Sequence, residues 1–170
     1  MALESPFANL YESVAERIKT KVPGIRYIDQ DLGQLENYGL RPAVSFPCVL
    51  TDSDEFEYTD AGNDPRQLAE GFLIIRLGIP AWSSSSKFSP AGVREKALEY
   101  FELEQQVVKA LHHWAPVGFS KLQRRKARTE KREDDIRVRI LVFAVQFTDE
   151  SCVPVRTTIP RPGLKVGDQD

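Results

Sequence analysis

The sequence of 170 residues lacks long apolar runs and has only two cysteines. A bilayer span needs about 20 consecutive apolar residues, and no stretch approaches that length. The N-terminus also lacks the basic and then apolar regions of a cleaved signal peptide. Cys48 and Cys152 lie far apart without a CxxC spacing, so they cannot form a disulfide framework. We therefore expect no membrane anchor, and reduced thiols of the kind found in cytosolic proteins.

Residues suited to catalysis are also scarce. The only histidines, His112 and His113, are adjacent near the end of a predicted helix, where a 3.6-residue turn points them in different directions. The acidic residues 52–57 lack the glycine and glutamate spacing of a calcium loop, and no nucleophile elbow, P-loop, dinucleotide fingerprint or HExxH motif occurs. We expect no enzyme activity, metal or cofactor. An enzyme that uses His113 or the acidic segment is the least favoured of three hypotheses.

The composition is that of a globular chain. There are 25 acidic and 23 basic side chains, a net charge of -2, and 41% hydrophobic against 28% charged residues. These values are typical neither of disordered nor of membrane proteins. The length fits one domain with a sizeable core.

Two amphipathic helices are predicted. Ser5 can cap the first helix and Pro6 suits its first position, while Val22-Pro23-Gly24 ends it. Its apolar stripe consists of Phe7, Leu10, Tyr11, Val14 and Ile18. The second helix follows Ser89-Pro90 and ends at Ala115-Pro116-Val117-Gly118. Its stripe is Val93, Ala97, Tyr100, Phe101, Val107, Val108, Leu111 and Trp114, interrupted only by Glu104.

Six segments have strand patterns. They are Ile25–Asp29, Pro42–Thr51, the residues around Phe56 and Tyr58, Leu68–Ala81, Phe119–Arg128 and Ile136–Thr148. The order is therefore α-β-β-β-β-α-β-β, with connections short enough for antiparallel hairpins. We predict an α+β fold for residues 1–150: a mainly antiparallel sheet of about five to six strands with both helices on one face. Because Ile136–Thr148 is largely apolar on both sides, we place it centrally.

Charge is distributed unevenly along the chain. One segment is basic, with Glu130 as its only acid: Lys121, Arg124, Arg125, Lys126, Arg128, Lys131 and Arg132. Another, from Pro42 to Pro65, has no lysine or arginine and contains Asp52, Asp54, Glu55, Glu57, Asp60 and Asp64.

The basic segment allows two interpretations. A positive strand and turn can bind phosphates, so a nucleic-acid-binding module is one hypothesis. However, no aromatic residues alternate with the cations to stack bases, and Glu133, Asp134 and Asp135 would repel a polyanion. We therefore favour a protein interface and expect no nucleic-acid partner.

The basic and acidic segments are complementary. Two different patches on one subunit can bind head to tail, and such contacts close into rings where the rotation permits. The alternative is that the two segments neutralise each other within one subunit.

Residues 151–170 form a C-terminal arm rich in proline and glycine. Val153, Val155 and Ile159 fall on one side of an alternating pattern, so this arm could add as a strand to a neighbour's sheet with its prolines outward. Disorder of the arm is the alternative.

The layout of residues 5–149 resembles the tail terminator and tail-completion proteins of long-tailed bacteriophages. The similar features are the helix ended by Val22-Pro23-Gly24, the Asp31-Leu32-Gly33-Gln34-Leu35 loop, the Pro42-Ala43-Val44 strand, and the helix ending in Leu111-His112-His113-Trp114 before a final hairpin. The resemblance rests on order and lengths, without a diagnostic motif.

This resemblance implies a non-enzymatic phage or prophage assembly protein. It would form a ring, commonly a hexamer, that caps the tail tube and contacts the head connector. Its partners would be itself and the tail tube and neck proteins, in the host cytoplasm during assembly and then in the virion tail. No catalytic residues carry over.

Overall fold

A computed structural model describes residues 4–36, 44–63, 65–80, 84–132 and 134–154. Within these ranges the chain forms two helices and five strands. In chain order these are α1 (Pro6–Lys21), β1 (Tyr27–Gln30), β2 (Cys48–Asp60), β3 (Gln67–Pro80), α2 (Ala91–Leu111), β4 (Gln123–Glu130) and β5 (Ile136–Asp149).

The strands form one sheet in the order β1-β2-β3-β5-β4. The pairs β2–β3, β3–β5 and β4–β5 are antiparallel, so the predicted α+β class with a mainly antiparallel sheet is confirmed. As predicted, β5 lies inside the sheet. The pair β1–β2 is parallel, whereas the sequence analysis expected hairpin connections throughout. A parallel pair is possible here because the connection between Gln30 and Cys48 is long enough to cross back.

The two strands predicted within residues 42–59 are one strand in the structure, and that part of the prediction is wrong. β2 continues through a bulge between Asp54 and Glu57, where Glu55 has a positive φ of 50°. The extra residue shifts the alternation of side chains by one position. Phe56 therefore points to the same face as α1, where its ring meets Phe7 at 5.0 Å between centroids.

Both helices pack on one face of the sheet, as predicted. Leu10, Val14 and Ile18 of α1 are fully buried there, and Ser5 caps the helix by accepting a hydrogen bond from the backbone of Ala8. The main core joins the two helices to inward residues of β2, β3 and β5. From the strands it contains Val49, Leu73, Ile75, Leu77, Leu141, Phe143 and Val145.

The second helix departs from its predicted stripe. Glu104, which appeared to interrupt the stripe, is buried and binds Arg139 of β5 through two hydrogen bonds of 2.6 and 3.0 Å. Phe101 remains 47% exposed although it was assigned to the stripe. The helix also ends at Leu111, earlier than predicted, because the chain turns at His113, which has a positive φ of 60°.

The other sheet face, away from the helices, is covered only in part. A smaller apolar cluster there contains Leu35, Cys48, Leu50, Val138 and Ile140. Leu35 comes from the loop after β1, so this loop covers one end of the face. The rest of the face carries the charged segments.

Candidate functional site

The acidic segment lies on β2, largely beyond the point where β1 ends. β1 pairs only with Cys48–Thr51. For the described residues, no strand pairs with the outer side of β2 from Asp52 to Asp60. The five acidic side chains placed there are all exposed: Asp52, Asp54, Glu55, Glu57 and Asp60. The sixth predicted acid, Asp64, lies outside the described residues.

The basic segment forms β4 and its flanks at the opposite edge of the sheet. Six of its seven cations are exposed: Lys121, Arg124, Arg125, Lys126, Arg128 and Lys131. β5 pairs with one side of β4. On the other side, the backbone N–H of Arg124 donates to His112 Nδ1 at 3.2 Å. Across the described part of the chain, the stretch from Arg125 to Glu130 has no strand on that outer side.

The two segments lie apart on one sheet face. Registers place Asp52 opposite Ile74, Ile74 opposite Val142, and Val142 opposite Lys126, so these four residues form one cross-strand row. Three strand spacings separate the ends of this row, a distance of roughly 14 Å. Among the described residues, no ion pair joins the acidic segment to the basic one. The described residues therefore give no support for direct neutralisation within one subunit.

Between the two charged edges lies a partly exposed apolar strip. It consists of Phe72 and Ile74 on β3 with Val142 and Ala144 on β5, all half-buried. At one end of this strip, Glu55, Glu57 and Glu70 line a shallow groove that includes Phe72 and Ala144 and reaches Arg125. The open face thus has acids on one side, bases on the other and apolar side chains between them.

Arg132, also predicted as part of the basic interface, has partners within the subunit. Its guanidinium donates to Glu130 at 2.7 Å, to Asp134 at 2.7 Å and to the backbone oxygen of Leu35 at 2.6 Å. The hydrogen bonds to Arg132 lower the pKa of Asp134. This cation holds the loop after β1 on the sheet, and its side chain is only 11% exposed.

Arg76 is the centre of this buried ion cluster, which the sequence analysis did not identify. It binds Asp31 and Glu130, each at 2.8 Å, and Glu36. Burial disfavours its charge, but the hydrogen bonds to Glu36 and Asp31 outweigh that effect and raise its pKa. The available signal was the single arginine in the otherwise apolar run from Gly71 to Pro80 of β3, since a buried charge needs partners.

The C-terminal arm is described only at its beginning. Val153 donates its backbone N–H to the oxygen of Glu150 at 2.9 Å, in a turn after β5. Val155 and Ile159 lie outside the described residues. The strand that they were predicted to add to a neighbour's sheet stays a prediction.

The remaining candidates for chemistry have structural contacts. His112 caps the edge of β4, and its ring lies 4.4 Å from that of His113. In the described ranges, no group of three or more histidine, cysteine or acidic side chains could hold a metal ion. Neither of the described helices is long and apolar enough to cross a bilayer.

No protein-family model matches the chain, and no curated protein sequence matches it. Among solved structures, it is similar to a chain from a structure titled "Virion of native gene transfer agent (GTA) particle". The two share 15% sequence identity with a TM-score of 0.47, over 82% of this chain and 95% of the other. Likeness at this level implies nothing about what this chain does.

Proposed function

We propose that this protein is a non-enzymatic structural subunit of a bacteriophage or prophage tail. In this proposal it is a tail terminator or tail-completion protein whose copies form a ring. The ring caps the tail tube and joins it to the head connector. It assembles in the cytoplasm of the bacterial host and remains in the virion tail, with the tail tube and neck proteins as its partners.

One observation supports this proposal above others: the acidic and basic segments lie at opposite edges of one sheet, without an ion pair between them in the described residues. Patches that are complementary but separate cannot satisfy each other inside the subunit. They can do so between subunits in a head-to-tail arrangement, which closes into a ring at a suitable rotation. A hexamer is the size that the resemblance to tail terminators implies.

Electron microscopy of the purified protein tests this function. At low salt we expect closed rings of uniform size, because unscreened charges favour the contact between subunits. Adding purified tail tubes should place such rings at tube ends. Particles that stay single subunits at high concentration and low salt would contradict the proposal, as would rings that never bind a tube.

A nucleic-acid-binding module remains the second candidate, because six cations of the basic segment are exposed and make no ion pair within the described residues. Against it, Glu55, Glu57 and Glu70 line the same groove as Arg125 and would repel phosphates. The test is whether the protein retains duplex or single-stranded DNA at low salt, and no retention of either would end the nucleic-acid hypothesis. If DNA is retained, Arg125→Glu with Arg128→Glu should abolish retention, since each lost phosphate contact weakens binding.

A further inference from the structure

We infer that the subunits join through their backbones: the outer side of β4 in one copy pairs with the outer side of β2, from Asp52 to Asp60, in a second copy. This inference rests on the proposed assembly function and specifies its interface. The resulting sheet continues from one subunit to the next.

The first support is that both strands offer an open edge. Among the described residues, β1 leaves nine residues of β2 unpaired on their outer side, from Asp52 to Asp60. β4 leaves Arg125–Glu130 open beyond the hydrogen bond from Arg124 to His112. Unpaired N–H and C=O groups along an edge are a template for another strand. The shorter open stretch fits within the longer one.

The second support is charge. An edge lined with like charges normally prevents pairing with an identical edge. Here Lys126 and Arg128 would repel a second β4, and Asp54 and Glu57 would repel a second β2. Only the mixed pair, β4 against β2, places cations opposite carboxylates, where cross-strand pairs of opposite charge are favourable. The charges therefore select a second copy in a head-to-tail arrangement.

The third support is strand direction. β2, β3, β5 and β4 follow one another in the sheet with every pair antiparallel. Hence β4 runs opposite to β2 within one subunit. When a second copy continues the sheet head to tail, its β2 lies beside this β4 in the antiparallel sense, which allows the stronger hydrogen-bond pattern.

The registers also determine the offset between copies. Arg128 shares a row with Leu50 and Glu130 shares one with Cys48, so most of the open part of β4 is level with the β1-covered part of β2. The second copy must therefore shift along the strands by roughly 15–20 Å, at about 3.3 Å per residue. Such a stagger is what tilts strands in a closed barrel. A ring built this way has strands inclined to its axis.

Two charge-reversal variants test the pairing. Lys126→Glu with Arg128→Glu makes the open stretch of β4 acidic, and Asp52→Lys with Asp54→Lys and Glu57→Lys makes the open stretch of β2 basic. Each variant alone faces like charges at every contact, so we expect its dissociation constant to rise roughly a hundredfold. An equimolar mixture restores opposite charges at both kinds of contact in an alternating assembly. We therefore expect assembly to return on mixing.

A matched control changes the same charge elsewhere. Lys87→Glu with Lys96→Glu alters exposed residues in the loop before α2 and in α2 itself, and neither residue belongs to β2 or β4. It shifts the net charge as much as the acidic β4 variant does, and it should assemble like the parent protein. Loss of assembly in this control would show that overall repulsion, rather than edge pairing, explains the effect of the β4 variant.

Amide hydrogen exchange distinguishes strand pairing from contact between side chains alone. Relative to the single-subunit variants, the parent assembly should protect amides in both Asp52–Asp60 and Arg125–Glu130. Protection of β2 without protection of β4 would show that another segment, such as the C-terminal arm, pairs with the open edge of β2. That result would overturn the inference. If both charge-reversal variants still form rings, the inferred strand pairing is also overturned, while the proposed function stays intact. Absence of any assembly contradicts the proposed function itself.

Discussion

Asp52 and Lys126 occupy the two ends of one cross-strand row, with Ile74 and Val142 between them. Their separation of roughly 14 Å is too great for an ion pair, yet both side chains are exposed on the same sheet face. From this row the acids continue along β2 toward one end of the sheet and the bases along β4 toward the other, since Asp54 shares a row with Gln123 and Arg128 shares one with Leu50. One face of the subunit is therefore electrostatically polar, and the proposed head-to-tail contact uses this polarity.

The buried pair of Glu104 and Arg139 should matter strongly for stability. Glu104→Gln leaves the Arg139 guanidinium buried without its charged partner, and we expect a loss of roughly 3 kcal/mol in the free energy of unfolding. Chemical denaturation with urea measures this. Glu102→Gln, on the exposed side of the same helix, is the control and should change stability by less than about 0.5 kcal/mol.

A double variant separates the loss of the pair from the cost of an unpaired charge. Glu104→Leu with Arg139→Met replaces both charges by apolar groups, which is often nearly neutral. We expect it to be more stable than Glu104→Gln. Equal destabilisation by both variants would contradict this account of the pair.

Gly71 is required where the ring of Phe56 crosses β3. A Cβ atom at position 71 would lie 2.5 Å from Phe56 Cγ and 2.9 Å from Phe56 Cα, so part of β2 must move. Gly71→Ala should therefore destabilise the protein by about 1–3 kcal/mol. Gly92→Ala is the matched control, because position 92 has free space and lies in a helix. It should stabilise by about 0.5–1 kcal/mol, and thermal unfolding compares the two.

The two cysteines should differ in reactivity. Cys48 is fully buried, and burial raises the pKa of its thiol to about 11. Cys152 is exposed. The thiolate is the reactive form of a cysteine. A thiol reagent at pH 8 should therefore label Cys152 at once and Cys48 roughly a hundredfold more slowly. In denaturant both should react together, and two fast thiols in the native protein would contradict the burial of Cys48.

The contact between Asp134 and Arg132 makes stability depend on pH in the acidic range. Hydrogen bonds from Arg132 lower the pKa of Asp134 in the folded protein below its ordinary value of 3.8. The unfolded chain therefore binds the proton more readily, so the stabilisation is complete well above pH 3.8 and is lost as the pH falls toward the lowered value. Unfolding midpoints between pH 6 and 2 measure this. Asp134→Asn should show a weaker decline over that range.

The elements that the sequence predicted best are those whose pattern and end signals agree. Ser5, Pro6 and the stripe of α1 lie where they were expected, because local capping and burial favour the same helix. The continuous β2 was missed because its bulge at Glu55 changes the alternation, which a pattern of period two does not reveal. The ion cluster around Arg76 joins residues 45 and 54 positions apart in sequence, so only the folded registers bring it together.

The candidate site was predicted in part. The two charged segments were visible as runs of like charge in the sequence. Their placement at opposite edges was not, because it depends on the order β2-β3-β5-β4. Arg132 illustrates the difference: it belongs to the basic run, but the fold places it beside Glu130 and Asp134.

The molar mass in solution as a function of salt tests the central claim most directly. Light scattering at low ionic strength should give a multiple of the 19.3 kDa subunit mass. That mass should fall toward one subunit as sodium chloride is raised, because screening weakens contacts between exposed charges. A single-subunit mass at every concentration and salt level, or an assembly whose mass does not respond to salt, would contradict association through the acidic and basic edges.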